Sequence, residues 1–136
     1  MTQEDKELLL KDLCGRLPFN HLVEYKGEKY NVLGIAHGRL VLCKPFMSHT
    51  LNENPLVKEV KPYLFPLSTI TIEQEKELSK LGVSYGEYAL HDDIRGLGIM
   101  VDEAYIFFEF CYKHHIDFLG LIERGLAIDA TGLDIY

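Results

Sequence analysis

Three short apolar runs, separated by turn residues, set the pattern of the first third of the chain. Leu22-Val23-Glu24-Tyr25, the run from Tyr30 to Ala36, and Arg39-Leu40-Val41-Leu42-Cys43 read as strands. Lys26-Gly27-Glu28 makes a short turn between the first two. His37-Gly38 is a two-residue hairpin signal between the second and third, and Lys44-Pro45 ends the third. The spacing predicts an antiparallel meander. Gly34, inside the middle strand, predicts a bulge or a close neighbour.

Helical patterns flank this meander. At the start, Thr2 can cap a helix whose first turn holds Glu4 and Asp5, with Leu8, Leu9, Asp12 and Leu13 as a partial stripe. Gly15 reads as its stop, and Pro18 follows. Residues 46–60 read as a surface loop. The run 60–67 is extended, because Pro62 and Pro66 forbid a helix, and an edge strand or a segment packed on the meander is expected. Thr71 and Gln74 form a capping box that opens a helix to about Lys80, closed by Gly82 and resting on Ile72, Leu78 and Leu81. Residues 83–100 read as a long loop. Asp102 is then expected to cap a helix through His115, and Asp117 a last helix from Phe118 to Arg124 with Gly125 as its stop.

The fold class that follows is α+β: one domain, with a meander of three to five strands packed against three or four short helices. A length of 136 residues suits one domain. A composition 47% hydrophobic and 26% charged is that of a folded rather than a disordered chain. No apolar run approaches the roughly 20 residues of a membrane span. The polar, acidic opening from Met1 to Glu7 is unlike a signal peptide, so a cytoplasmic protein is expected. Cys14, Cys43 and Cys111 are odd in number and widely spaced, which argues against disulfides and zinc ribbons.

The net charge of −7 is unevenly spread. Residues 1–45 hold seven Lys/Arg against six Asp/Glu, whereas residues 46–136 hold seven against fifteen. An acidic C-terminal two-thirds repels phosphate backbones and argues against a nucleic-acid partner.

Chemistry concentrates near the C-terminus. On a helix continued to residue 115, Ala104, Phe108, Cys111 and His115 share one side, with Phe107 at its margin. Cys111 and His115, four apart, present two metal-ligand types on one face, and His91 with Asp92 or Asp93 would have to complete a site from the loop. The simpler reading makes His115 a core histidine bonded to a carbonyl or a carboxylate, with no metal and no cofactor. His114, His115 and Asp117 are the catalytic candidates, since a carboxylate beside an imidazole begins general-base chemistry. Asp117 already has a capping role, however, and no nucleophile stands in a suitable context. Aromatics run nearly round the long helix. Phe107, Phe108, Cys111 and Tyr112 are expected inward, and Phe110, beside the polar face, becomes a partner contact if exposed.

Two motifs carry a resemblance. Val60-Lys61-Pro62-Tyr63-Leu64-x-Pro66-Leu67-Ser68, followed by Thr71 and an acidic helix, is one. The other is Lys113-His114-His115-Ile116-Asp117-Phe118-x-Gly120-Leu121-Ile122-Glu123-x-Gly125-Leu126-Ala127. Together they cover roughly residues 57–78 and 101–130. The chain thereby resembles a group of small proteins of gut-bacterial genomes, often found in prophage and mobile-element regions, with no assigned activity. The usual form of the group has Arg where Phe65 stands and Tyr-Arg where Phe118-Leu119 stand. These departures remove polar groups of any shared site and add Phe65 and Phe118 to the partner-binding candidates. The resemblance implies a mobile-element origin and supplies no catalytic residue. The expected function is a non-enzymatic accessory protein that binds another protein, or itself as a homodimer. The alternative is a small metal-dependent or His/Asp-based hydrolase using His114, His115 or Asp117 with His91, Asp92 or Asp93.

Overall fold

The computed structural model describes residues 1–45, 53–81 and 101–136, which build an α+β fold. Helix α1 spans Gln3–Arg16, and the Thr2 hydroxyl accepts the Asp5 amide at 3.1 Å as its cap. The helix does not stop at Gly15. It runs on to Arg16, turns once more through Leu17–Phe19 and is ended by Asn20 in the left-handed region, φ 53°. Gly15 serves close packing instead: a Cβ there would lie 2.3 Å from Cζ of Tyr112.

Strands β1 (Leu22–Tyr25), β2 (Glu28–Ala36) and β3 (Arg39–Cys43) form the expected antiparallel meander. Both hairpins turn on two residues of positive φ, Lys26 and Gly27 (52° and 77°) and His37 and Gly38 (54° and 74°). That handedness matches the twist of the flanking strands and locks the register. The pairing of β2 with β3 shifts between Val32 and Gly34, the bulge expected at this glycine. Part of the expected loop is extended: Glu53 bridges Leu42 and Leu56 bridges Arg39.

Strand β4 (Lys61–Pro66) is not the edge of the sheet. The order is β3-β2-β1-β4-β5, with β5 (Ile116–Asp117) and β6 (Ile128–Asp129) both pairing with β4 in parallel. The prolines are tolerated because each partner needs little of β4: only Val23 and Glu24 of β1 pair with it, at Pro62 and Lys61. Two parallel pairings thus join the expected meander in a mixed sheet.

Helix α2 (Ile72–Lys80) opens on the complete Thr71–Gln74 capping box. It rests on Leu78 alone; Ile72 and Leu81 are exposed. Helix α3 (Val101–Lys113) includes Asp102 within its first turn rather than starting after it, and stops two residues before His115. Between α1 and the sheet lies the larger core, with Leu9, Leu13, Val23, Leu40, Leu42 and Leu64 wholly enclosed. Each such side chain contributes roughly 1.5–3 kcal/mol of burial. A second cluster joins Leu78 to Phe107, Phe110, Cys111 and Ile116. Among the described residues, no helix is long and apolar enough to cross a membrane.

Candidate functional site

The end of α3 explains where its histidines go. Lys113 is the last helical residue, and His115 takes a left-handed conformation, φ 59°. Such a conformation costs an L-residue roughly 1–2 kcal/mol. It turns the chain into β5 and presents the His115 carbonyl to the Phe65 amide at 2.8 Å. The imidazole therefore leaves the helical stripe, and the i,i+4 pairing of Cys111 with His115 is not formed.

His115 meets a residue with no sequence signal, His21. The two Nδ1 atoms lie 3.0 Å apart, and both rings are buried, at 9% and 1% exposure. Tyr136 covers the pair, its ring 3.6 Å from that of His115 and within 10° of parallel. Its hydroxyl donates to the Tyr63 carbonyl at 2.9 Å, accepts the Leu22 amide at 3.2 Å and stands 3.1 Å from His21 Nδ1. These bonds tie the chain end to both β1 and β4.

Beneath them lies a buried ion pair. Arg16 donates through Nε and Nη2 to the two oxygens of Asp12, at 2.7 and 2.8 Å. It also donates to the carbonyls of Cys111 (3.2 Å) and Ile116 (2.7 Å), so one guanidinium holds α1 to both the end of α3 and β5. Burial raises the Asp12 pKa, and Arg16 pulls against it. Burial, then the Arg16 charge, drives His21 well below the usual histidine range and His115 down to about 4. Both imidazoles are neutral at pH 7.

Neutral rings need an assignment of their two protons. His21 Nε2 is enclosed and has no hydrogen-bond partner. An orphaned buried N–H is costlier than an orphaned lone pair, so the His21 proton belongs on Nδ1. There it faces two acceptors, His115 Nδ1 and the Tyr136 oxygen. His115, accepting at Nδ1, carries its own proton on Nε2.

The sequence-derived candidates do not gather at one point. His114 turns the other way, its Nε2 2.9 Å from the Glu77 carboxylate of α2, which also binds Lys113 at 3.3 Å. Asp117 is buried and accepts the Leu121 and Ile122 amides, each at 2.9 Å. The helix expected after Asp117 is a single turn, closed by Gly125 at φ 74° with Leu126 donating to the Leu121 carbonyl at 2.9 Å. Burial pushes the Cys111 thiol up, which keeps it protonated and a poor ligand. Among the described residues, no three His, Cys, Asp or Glu side chains cluster as metal ligands. His91, Asp92 and Asp93 lie outside the described residues.

The partner-binding candidates are also placed. Phe110 is 3% exposed and belongs to the core with Leu78, because α2 covers this side of α3, its Glu77 bound to Lys113 and His114. Phe65 packs at 5.9 Å against Tyr136, and Phe118 stacks on Phe108 at 4.9 Å, both half-buried. Among the described residues the exposed aromatics are Tyr105, at 68%, and Tyr136, at 41%.

Sequence reasoning missed Arg16, His21 and Tyr136. For Arg16 a signal existed: Asp12 sits on the apolar stripe of α1 four residues ahead, the spacing of a buried helical ion pair. Comparison of the chain with protein-family models, with curated proteins and with solved structures gives no match.

Proposed function

We propose that this chain is a non-enzymatic accessory protein of prophage or mobile-element type that acts by binding another protein. The observation that carries this reading is an aromatic groove of about 410 Å³ lined by residues of α1, the turn after it and α3. Phe19, Tyr105, Phe108 and Tyr112 supply the apolar surface, and Glu109 stands among them. Residues 105, 108, 109 and 112 share one face of α3 by their three- and four-residue spacing. Tyr105 is 68% exposed, and rigid aromatics in such positions are the usual anchors of protein contacts.

The occupant that suits the groove is an extended apolar segment bearing a Lys or Arg. Its apolar part would lie on the four rings, and its cation would meet Glu109, which has no ion-pair partner among the described residues. His114, His115 and Asp117 face different partners and form no acid–base group together, which further favours binding over the hydrolase alternative.

Matched photo-crosslinking tests this. Tyr105 and Ile72 are equally exposed, at 68% and 67%, on different helices. A photoreactive phenylalanine at position 105, in cells that carry the natural partner, is expected to give a discrete adduct that is lost on Glu109→Lys. The same group at position 72 is expected to give none. Equal labelling at both positions, or an adduct indifferent to Glu109→Lys, would count against the groove.

A further inference from the structure

We infer that the cavity beside the histidine pair binds a small organic carboxylate with an apolar or aromatic body. The site shares only Phe19 with the aromatic groove, and the inference does not depend on the protein-binding reading. The cavity encloses about 650 Å³, and its walls include Phe19, Asn20, Lys29, Asn31, His115 and Tyr136. That size is within the roughly 300–1,000 Å³ of small-molecule sites.

Each free polar side chain on these walls can donate a hydrogen bond. His115 is nine-tenths buried, with Nδ1 engaged by His21. Its Nε2 has no partner among the described residues and is not among the enclosed atoms, so its N–H opens toward the cavity that the residue lines. Lys29 and Asn31 stand two apart on β2 and so share one face of the strand. Neither they nor Asn20 make a side-chain hydrogen bond or ion pair with another described residue. The site thus offers one ammonium, one fixed imidazole N–H and two amides around apolar walls.

Charge decides the ligand class. Arg16, whose charge acts on His115, is consumed by Asp12 and two carbonyls, and Lys44, beside Pro45 of the wall, is paired with Glu28 at 2.8 Å. One free ammonium balances a monoanionic carboxylate, and a dianionic phosphate would remain half compensated. The stacked rings of His115 and Tyr136, with Phe19, suit a flat apolar body beside that carboxylate.

The test uses the full ¹⁵N-labelled chain, benzoate as the probe and long-range ¹H–¹⁵N spectra of the imidazoles. The free protein is expected to show His115 protonated at Nε2. Benzoate is expected to move the His115 signals saturably and to leave those of His37, on the far hairpin, in place. Benzyl alcohol, uncharged, is expected to bind about tenfold or more weakly, and Lys29→Met to weaken benzoate by about the same factor. Lys29 is exposed, so that variant keeps the core intact. His115 signals unmoved at millimolar benzoate, a free His115 protonated at Nδ1, or equal shifts with inorganic phosphate would each overturn the assignment.

Discussion

His21 and His115, ninety-four residues apart in the chain, are joined Nδ1 to Nδ1 at 3.0 Å in the interior, directly above the Arg16–Asp12 ion pair. The contact works only while at least one of the two rings is neutral at Nδ1. It links the turn after α1 to the turn after α3, and the Tyr136 hydroxyl adds the chain end to the same junction.

Acid should release this junction. The folded pKa of His115, about 4, lies below its unfolded value of 6.5, so the unfolded chain binds more protons between these values. Stability is therefore fully present above about pH 6.5 and declines as pH falls toward 4. The shift corresponds to a loss on the order of 3 kcal/mol from His115, and His21 shifts in the same direction. Urea unfolding across this range should show a falling midpoint, with a shallower fall in His115→Asn. A midpoint constant from pH 7 to 5 would contradict the burial argument.

Gly15→Ala should destabilise the fold, although alanine normally stabilises a helix by about 1 kcal/mol relative to glycine. The added Cβ would meet the Tyr112 ring, which is held between Arg16 at 5.3 Å and Phe118 at 5.3 Å. Overpacking of this kind costs about 1–3 kcal/mol. Removing the ring in Gly15→Ala/Tyr112→Ala should recover the helical gain. Additive losses in that double-mutant cycle would show that the two residues do not meet.

Arg16→Met should cost about 3–5 kcal/mol, because it strands a buried carboxylate. It also leaves the Cys111 and Ile116 carbonyls without their donor. Asp12→Leu/Arg16→Met, which removes both charges, should be the more stable protein. Chemical denaturation of the single and double variants decides between these outcomes; a loss below about 1 kcal/mol for Arg16→Met would mean that water reaches the pair.

Thiol reactivity should follow burial. Cys14 is exposed, whereas Cys43 and Cys111 are buried. A chromogenic disulfide reagent should titrate one thiol in the native protein and all three in denaturant. Rapid native reaction of Cys111 would mean a thiolate where burial disfavours one.

The elements legible in the sequence are those with local causes. The two hairpins are specified by turn pairs that tolerate positive φ, the bulge by Gly34 and the start of α2 by Thr71 and Gln74. Asp117 and Gly125 were legible as a cap and a stop, and both act so, but the segment between them closes a single turn. Periodicity misled at His115: extrapolating 100° per residue assumed a helix that in fact ends at Lys113. Gly15 reads identically as a helix stop or as a close approach, and only the neighbouring ring distinguishes the two.

The sequence by itself determined the α+β class, the meander and its register, because turn chemistry and alternation act over a few residues. The tertiary structure alone decided that β4 is internal, that Phe110 is core, and that His114 and His115 face different partners. It alone assembled Arg16, His21, His115 and Tyr136, because the bonds of Arg16 to Cys111 and of His21 to His115 and Tyr136 span about 95 to 115 positions and leave no periodic trace. Burial is the physical reason. Their chemistry is set by desolvation and one guanidinium, and neither acts until distant segments pack.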